Sequence, residues 1–431
     1  MTRRVARLVA GWSTGLSRPV LILQGGNALN YFGYGLVLPF EIIYLHQIRD
    51  FPTSTAGLVL AATMGTAAVV TPPTGALLDR YSAKAIVAGG SLASALGYAG
   101  FAFVEHPWEA FACSIAGGAG LGAAGTANRT LVVRLVTPEQ RAAAFALNRV
   151  AGNFGIGLGA TVAGFAVAAA QRLGSFQILY LFDAVTSAGF ALIVLAAIPS
   201  TDPVTASATD ADGTGFRAVA RDRLFLTVIA ANIVLVVVGH TLFSNILPPF
   251  AKAHTPVGPA EIGIIVLVNT SFIVIAQIPA VRVVARMRRT HAFALTSVLF
   301  AVSLLGVLPA TLIHSALAAT TLLVGVAVVF ALGEIAHILV LGPLVADMAP
   351  AHLLGRYLSL YSLTFALSLA VGPAIGGLLL KTAPDAIWWG GAVAALLAGT
   401  VLLRLGDRIP DPRSRVTRPQ PCGKIRRSAA R

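Results

Sequence analysis

The chain has 431 residues, of which 56% are apolar and only 11% are charged, with a formal net charge of +14. A soluble protein of this length carries about twice that share of charged residues, so the composition excludes the soluble classes and indicates a membrane protein. The cations lie between the apolar runs and in the carboxyl tail, which argues against nucleic acid as a partner and favours a role in orienting the chain in a membrane.

Twelve apolar runs follow one another along the chain, each roughly 20 residues or a little longer, the length at which an α-helix crosses about 30 Å of hydrocarbon. They do not alternate polar and apolar residues as the strands of a membrane barrel do. We therefore expect an all-α membrane protein with twelve transmembrane helices. The predicted spans are 20–45, 54–77, 85–104, 108–133, 142–170, 176–198, 223–248, 260–284, 291–312, 316–342, 356–380 and 386–405.

A polar stretch rich in Asp, Thr, Ser and Ala separates the sixth span from the seventh. It is predicted to be a linker between two six-helix bundles. The amino end is basic and short of apolar residues, which argues against a cleavable signal. The predicted segments are a cytoplasmic amino-terminal segment 1–19, a first bundle 20–198, a cytoplasmic linker 199–222, a second bundle 223–405 and a basic cytoplasmic tail 406–431.

The distribution of cations predicts the orientation. If the amino end is cytoplasmic, the outer loops hold only Arg49, Arg172, Lys252 and Lys381, and nearly all other arginines lie on the inner side. Cytoplasmic loops of membrane proteins are enriched in Lys and Arg, so both termini are expected in the cytoplasm. The two cysteines, Cys113 and Cys422, are not expected to form a disulfide or bind metal.

A charged turn, residues 72–84, joins the second and third spans. Gly75 and Asp79 lie four residues apart on one helical face, and Arg80 and Lys84 follow in the turn. This pattern resembles the loop motif of the major facilitator superfamily of transporters, although Ser82 stands where the family has a glycine and Ala83 where it has an arginine. Shifting the chain by 206 residues aligns Gly57 with Gly263, Pro73 with Pro279 and Arg80 with Arg286, as two repeated halves require.

The resemblance implies two pseudo-symmetric six-helix bundles that work by alternating access, with the transport pathway between them. It also implies that Asp79 lies against the amino end of the eleventh helix, at Gly355 and Arg356, and favours the outward-open form while paired. Because Arg134 takes the position of a family aspartate, we expect it to serve Asp79 directly. Capping of the loop is the alternative role for Asp79.

Charged side chains inside spans are candidates for function, since each costs roughly 2.5–3.5 kcal/mol near the bilayer centre. Glu334 is expected near mid-membrane as a proton carrier, with His337 at i+3 to share or pass the proton. Permanent pairing of Glu334 with an arginine is the alternative. Asp183 and Glu41 are further proton-coupling candidates, closer to the outer surface.

Candidates for a substrate cavity come from helices one, four, five and seven. Arg129 and Arg149 could hold an anionic group or act as the counter-charge that releases a proton from a carboxyl; snorkelling to the inner surface is the alternative. The amides and hydroxyls could instead bond neighbouring helices. The remaining cavity candidates are Asn27, Asn30, Tyr31, Tyr34, Asn232 and His240.

Two glycine-rich stretches are expected to permit close helix contact and a bend. Gly155 and Gly159 in helix five resemble the motif of drug and proton antiporters, with Ala160 in place of its proline. Helix eleven carries Gly372, Pro373, Gly376 and Gly377 as a full Gly-Pro-x-x-Gly-Gly.

The pattern as a whole is most similar to the bacterial twelve-span drug and proton antiporters. It implies proton-coupled efflux of amphipathic small molecules or drugs across the cell (inner) membrane, by a carrier that is not an enzyme, needs no cofactor or metal and works as a monomer. The expected partners are a small-molecule substrate and membrane lipid. A sugar, organic-acid or other metabolite transporter is the alternative, and a non-transporting membrane receptor is a remote one.

Overall fold

The computed structural model of the protein describes residues 15–169, 172–200 and 215–409, and these ranges are almost entirely helical. Each predicted span contains a long helix, and we label the helices by their order. They are α1 Arg18–Val37, α2 Thr53–Leu78, α3 Ala83–Phe101, α4 Pro107–Leu135, α5 Arg141–Ala169, α6 Leu173–Ala197, α7 Arg223–Leu235, α8 Pro259–Val284, α9 Arg289–Val307, α10 Ala316–Met348, α11 Leu354–Thr382 and α12 Pro384–Leu405.

Helices α1 and α7 are extended by irregular helical turns. Beyond α1 the chain passes through a 3₁₀ turn at Leu38–Phe40 and a π-helical turn at Tyr44–Ile48. Beyond α7 it is π-helical over Val236–Ile246 and then α-helical over Leu247–His254. Pro39 lies in the 3₁₀ turn, and Pro248 lies just after the π-helical stretch. Proline lacks the N–H that a regular helix needs, so local 3₁₀ and π geometry accommodates it.

Within the described residues, ten helices are long and apolar enough to cross a membrane, and of the twelve predicted spans α3 and α11 are the two outside that set. The all-helical membrane architecture is therefore confirmed, while twelve crossings remain a prediction. The division into two bundles and a linker also remains a prediction. A short helix, Gly215–Arg221, lies in the second part of the predicted linker, and its Val219 is fully buried in the apolar core of the residues that follow.

Residues 15–200 are called the N-terminal half below, and residues 215–409 the C-terminal half. The C-terminal half has one large core, which includes Phe250, Phe330 and Trp388. The N-terminal half has two smaller cores, one around Tyr44 and Phe176 and one around Leu23 and Phe190.

Glycines bring helices within backbone contact inside the N-terminal half. A Cβ on Gly155 would lie 2.5 Å from the carbonyl oxygen of Ala28 in α1, and one on Gly159 would overlap the carbonyl oxygen of Phe32. The expected close contact of helix five is thus present. In helix eleven, Gly376 packs against the side chain of Ile246. The surroundings of Gly372, Pro373 and Gly377 lie outside the described residues.

Replacing Gly159 by alanine is expected to separate α1 from α5 and to lower the free energy of unfolding by about 1–3 kcal/mol, the usual cost of overpacking. The measurement is thermal unfolding of the purified protein in detergent. The matched control is Gly157→Ala, because no atom lies within 4 Å of a Cβ built there. Equal stability of the two variants would contradict the close packing.

Candidate functional site

The two halves meet along α2 and α11 and along α5 with α8 and α10. One end of the bundle, called the termini face, carries the start of α1 and the α2–α3, α4–α5 and α10–α11 connections. Gln140 donates to the Gly15 carbonyl there, at 2.9 Å. The other end, called the opposite face, carries Arg49 and Gln177, which both donate to the carbonyl of Ala102.

Asp79 joins the halves at the termini face. Its Oδ1 accepts a hydrogen bond from the backbone N–H of Gly355 at 2.7 Å, and its Oδ2 accepts one from Nη1 of Arg356 at 2.8 Å. Burial raises the pKa of the Asp79 carboxyl to about 6, although the Gly355 hydrogen bond and the charges of Arg356 and Arg134 act in the opposite direction. The carboxylate lies at the start of α11, where the partial positive charge of a helix terminus favours an anion.

The rest of the charged turn surrounds this contact. Gly75 allows it, since a Cβ there would lie 2.6 Å from the Cβ of Ser359 in α11. Arg134 donates to the carbonyl of Leu78 at 2.8 Å, so the direct salt bridge that we expected from Arg134 is made by Arg356 instead. Arg80 is exposed and Lys84 half-buried in the turn.

A second ionic contact at the termini face centres on Asp347, near the end of α10. It forms salt bridges with Arg141, at the start of α5, and with Arg289, at the start of α9. Arg141 belongs to the N-terminal half, whereas Arg289 and Asp347 both belong to the C-terminal half. The sequence analysis did not identify this triad, because all three residues lie at helix ends, where charges are usually solvated.

Arg129 of α4 reaches across to α11. Its Nη1 donates to the Ser362 hydroxyl at 2.8 Å, and its guanidinium lies 5.2 Å from the ring centre of Tyr361 and 5.4 Å from that of Phe365. The arginine is therefore held between the halves by a hydrogen bond and two cation–π contacts.

Deeper in the interface, Arg149 of α5 forms a salt bridge with Glu334 of α10. The carboxylate side chain is 8% exposed and the guanidinium side chain 29% exposed. The alternative considered for Glu334, pairing with an arginine, is thus the arrangement present in this conformation. Its sharing of a proton with His337 remains a prediction.

A cavity of about 170 Å³ opens beside this pair, and both charged groups line it. Most of its wall is apolar and comes from α8 and the helical turns beyond α7, with a few amide and hydroxyl groups among them. The other lining residues are Asn153, Phe243, Leu247, Pro248, Ala251, Ile262, Ile265, Val266, Asn269, Thr270 and Ile273. On the side of the termini face, an apolar cluster of α5, α8 and α10 residues that includes Ala146 and Ile335 packs beneath the pair.

His337 belongs to a hydrogen-bonded chain inside the C-terminal half. Its Nε2 bonds Oδ1 of Asn232 at 2.9 Å, and Nδ2 of Asn232 donates to the Thr364 hydroxyl at 2.6 Å. Asn232 is thus engaged with neighbouring helices, the alternative that we considered for it. The side chain of His240 lies outside the described residues.

The polar face predicted on α1 contacts several helices of its own half. Asn30 accepts a hydrogen bond from Ser187 of α6 at 2.9 Å, Tyr31 lies against Gly152 of α5, and the Tyr34 ring meets Tyr98 of α3 edge to face. Asn27 is buried, and its Nδ2 has no hydrogen-bond partner among the described residues.

Glu41 and Asp183 lie together inside the N-terminal half, away from the interface between the halves. Glu41 is 7% exposed and Asp183 is 1% exposed. The rings of Tyr44 and Tyr180, each three residues from one of these carboxyls along the chain, lie 4.8 Å apart, so both carboxyl groups belong to the same buried region.

Comparison with known proteins identifies relatives along the whole chain. A sequence model of the Major Facilitator Superfamily matches residues 25–254 and 229–430. "Multidrug resistance protein MdtH" of Klebsiella pneumoniae is 32% identical over 159 residues, so the match covers 36% of this chain and only 36% of that relative. "Uncharacterized MFS-type transporter YhjO" of Bacillus subtilis is 22% identical over 392 residues, 89% of this chain and 92% of the relative.

Two solved structures show the same fold. A bacterial homologue of the iron transporter ferroportin in an outward-facing state superimposes with a TM-score of 0.75 at 16% identity, covering 91% of this chain and 100% of that chain. The proton:xylose symporter XylE gives a TM-score of 0.69 at 14% identity, covering 91% and 95% of the two chains.

Replacing Asp79 by alanine is expected to open the termini face, because the N–H of Gly355 and the guanidinium of Arg356 lose their acceptors. Each charge-assisted hydrogen bond contributes about 1.5–3 kcal/mol. The measurement is the distance between spin labels at the exposed positions Tyr81 and Ala351, in a cysteine-free background, and longer distances are expected. Arg80→Ala is the matched control, and a distance unchanged by Asp79→Ala would contradict the role of the contact.

The same labelled pair tests a pH dependence. When the termini face opens, water reaches Asp79 and its pKa returns toward the ordinary value of 3.8. The closed state therefore binds a proton at Asp79 more tightly than the open state does. The stability that the closed state gains from this proton is present below pH 3.8 and is lost as the pH rises through about 6. The closed population should fall over that window in the wild type. Asp79→Asn should lack this component, and an identical pH profile in that variant would exclude Asp79 as its source.

Proposed function

Because the chain belongs to the major facilitator superfamily, it is a multi-pass membrane transporter and not an enzyme, and we propose that it exports amphipathic small molecules or drugs in exchange for protons. The observation that carries this proposal is the Arg149–Glu334 salt bridge, which joins the two halves and lines the cavity between them.

A salt bridge in this position couples protonation to movement of the halves. Protonation of Glu334 neutralises the carboxylate and removes its attraction to Arg149 across the interface. The N-terminal half then rocks against the C-terminal half, and the site opens toward the termini face. Return of the proton to water on that side restores the carboxylate, which pairs with Arg149 again or binds a cationic group of the substrate.

The wall of the cavity supports an amphipathic substrate. Apolar side chains such as Phe243, Ile265 and Ile273 supply a surface for the apolar part of a substrate. The Arg149–Glu334 ion pair and the amide of Asn269 supply the polar contacts. The name of the matching relative, a multidrug resistance protein, agrees with this substrate class.

The proposal also includes the membrane topology of the protein and the energy source for transport. Twelve helices in two six-helix bundles, 20–198 and 223–405, cross the cell membrane, with both termini and the termini face in the cytoplasm. Closure of the termini face by Asp79 and Asp347 then corresponds to an outward-facing state. The proton gradient supplies the energy without a cofactor, and the partners are the substrate and membrane lipid around a monomer.

A metabolite carrier is the second candidate. Three polar side chains on two helices, Asn153 of α5 and Asn269 and Thr270 of α8, line the cavity beside Arg149. Such groups suit a sugar or an organic acid better than a lipophilic cation. The structural neighbour XylE carries the name of a proton:xylose symporter, which agrees with this alternative.

Replacing Glu334 by glutamine is expected to abolish substrate-driven proton movement, since glutamine keeps the shape of the side chain but neither titrates nor carries charge. The measurement follows an acid-trapped dye in inverted membrane vesicles while lipophilic cations, neutral drugs, sugars and organic acids are added in turn. In the wild type, a drug should dissipate the proton gradient.

Glu139→Gln is the matched control, because Glu139 is an exposed carboxylate at the termini face. It should retain the wild-type response. A full response in Glu334→Gln would remove this residue from coupling. A response to a sugar or an acid alone, with none to any drug, would replace drug efflux by the metabolite carrier.

A further inference from the structure

Two buried carboxyl groups of the N-terminal half have no counter-charge among the residues that the structure describes. Glu41 and Asp183 are almost completely buried, and within the described residues neither forms a salt bridge or accepts a hydrogen bond at its carboxyl group. Oδ2 of Asp183 in particular is enclosed without a hydrogen-bond partner in the described part of the chain. This differs from Asp79, Glu334 and Asp347, each of which is paired with arginine.

The surroundings of the pair are close-packed and come from several helices. Asp183 lies against Gly33 of α1, where a Cβ would come within 2.7 Å of Oδ1, and Thr186 packs at the same place. Position 33 therefore has no room for a side chain, and α1 covers the carboxyl group directly.

Among the described residues, the titratable groups packed into this region are tyrosines. They come from α1, α3, α6 and the turn beyond α1, and their rings contact one another directly or through Phe101: Tyr34, Tyr44, Tyr98 and Tyr180. Tyr44 donates its hydroxyl to the carbonyl of Phe101 at 2.6 Å, while the hydroxyl of Tyr180 has no hydrogen-bond partner among the described residues. A tyrosine hydroxyl at neutral pH is uncharged, so it does not compensate a buried carboxylate.

The nearby cation is already engaged. Arg49 donates from Nε to the Tyr44 hydroxyl at 2.8 Å and from Nη2 to the Ala102 carbonyl at 2.9 Å, at the opposite face. Two neighbouring carboxylates without a cation would combine the desolvation cost of each charge with their mutual repulsion. A bound proton removes both costs.

We propose that Glu41 and Asp183 form a proton-binding site enclosed in the N-terminal half, separate from the cavity between the halves, which holds at least one proton in this conformation. Its proton comes from water at the opposite face, where the π-helical turn Tyr44–Ile48 begins three residues after Glu41. The role of the site as a second proton carrier beside Glu334 rests on the proposed function. The existence of the site does not depend on that function.

The test is infrared spectroscopy of the purified protein at neutral pH, where exposed carboxyl groups are ionised. The probe is the C=O stretching band of a protonated carboxyl group and its shift on exchange into D₂O. The wild type should show the band, and Glu41→Gln and Asp183→Asn should each reduce it. Glu139→Gln should leave it unchanged.

A band that persists at full strength in both variants would overturn the proposal. Loss of the wild-type band on addition of sodium chloride would also overturn it, because the two carboxyl groups would then hold a metal ion instead of a proton. If Asp183→Asn does not fold, Glu41→Gln decides the question alone. The vesicle assay separates the two proposals: a wild type that shows the band but moves no protons would contradict proton-coupled transport and leave the buried site in place.

Discussion

A charge inside hydrocarbon must be paired, neutralised or exposed to water, and the arrangement of this protein follows from that constraint. Arginines from the N-terminal half meet carboxylates of the C-terminal half at Glu334 and Asp347, and a carboxylate of the N-terminal half meets Arg356. Each contact satisfies a charge on one half with a group on the other. Interactions between oppositely charged groups therefore hold the halves together in this conformation.

The contacts also form a graded series from the surface inward. Asp79 lies at the end of a helix and accepts a backbone N–H as well as a guanidinium, so it depends on the position of the α11 backbone. Glu334 lies deeper and borders the cavity, so it can respond to a proton or a substrate. The outer contacts thus depend on how the halves are positioned, and under the proposed function the inner contact links that position to binding of a proton or a substrate.

The sequence predicted the helices well because hydrocarbon thickness dictates their length, and it located Asp79 because glycine, aspartate and cations in a short turn form a distinctive pattern. Partners were harder to predict. Arg134 and Arg356 are both near Asp79, but Arg134 donates to the Leu78 carbonyl and Arg356 to the carboxylate, a choice that depends on how α2 packs against α11. His337 pairs with Asn232, a residue 105 positions away, and no local pattern encodes that contact.

The double pairing of Asp347 bears on what a separation of the halves would cost. Arg141 would leave with the N-terminal half, but Arg289 belongs to the same half as Asp347 and would remain beside it. Separation would therefore remove one attraction without creating an isolated buried charge. A single salt bridge between the halves would leave its carboxylate without a partner and would cost more to break.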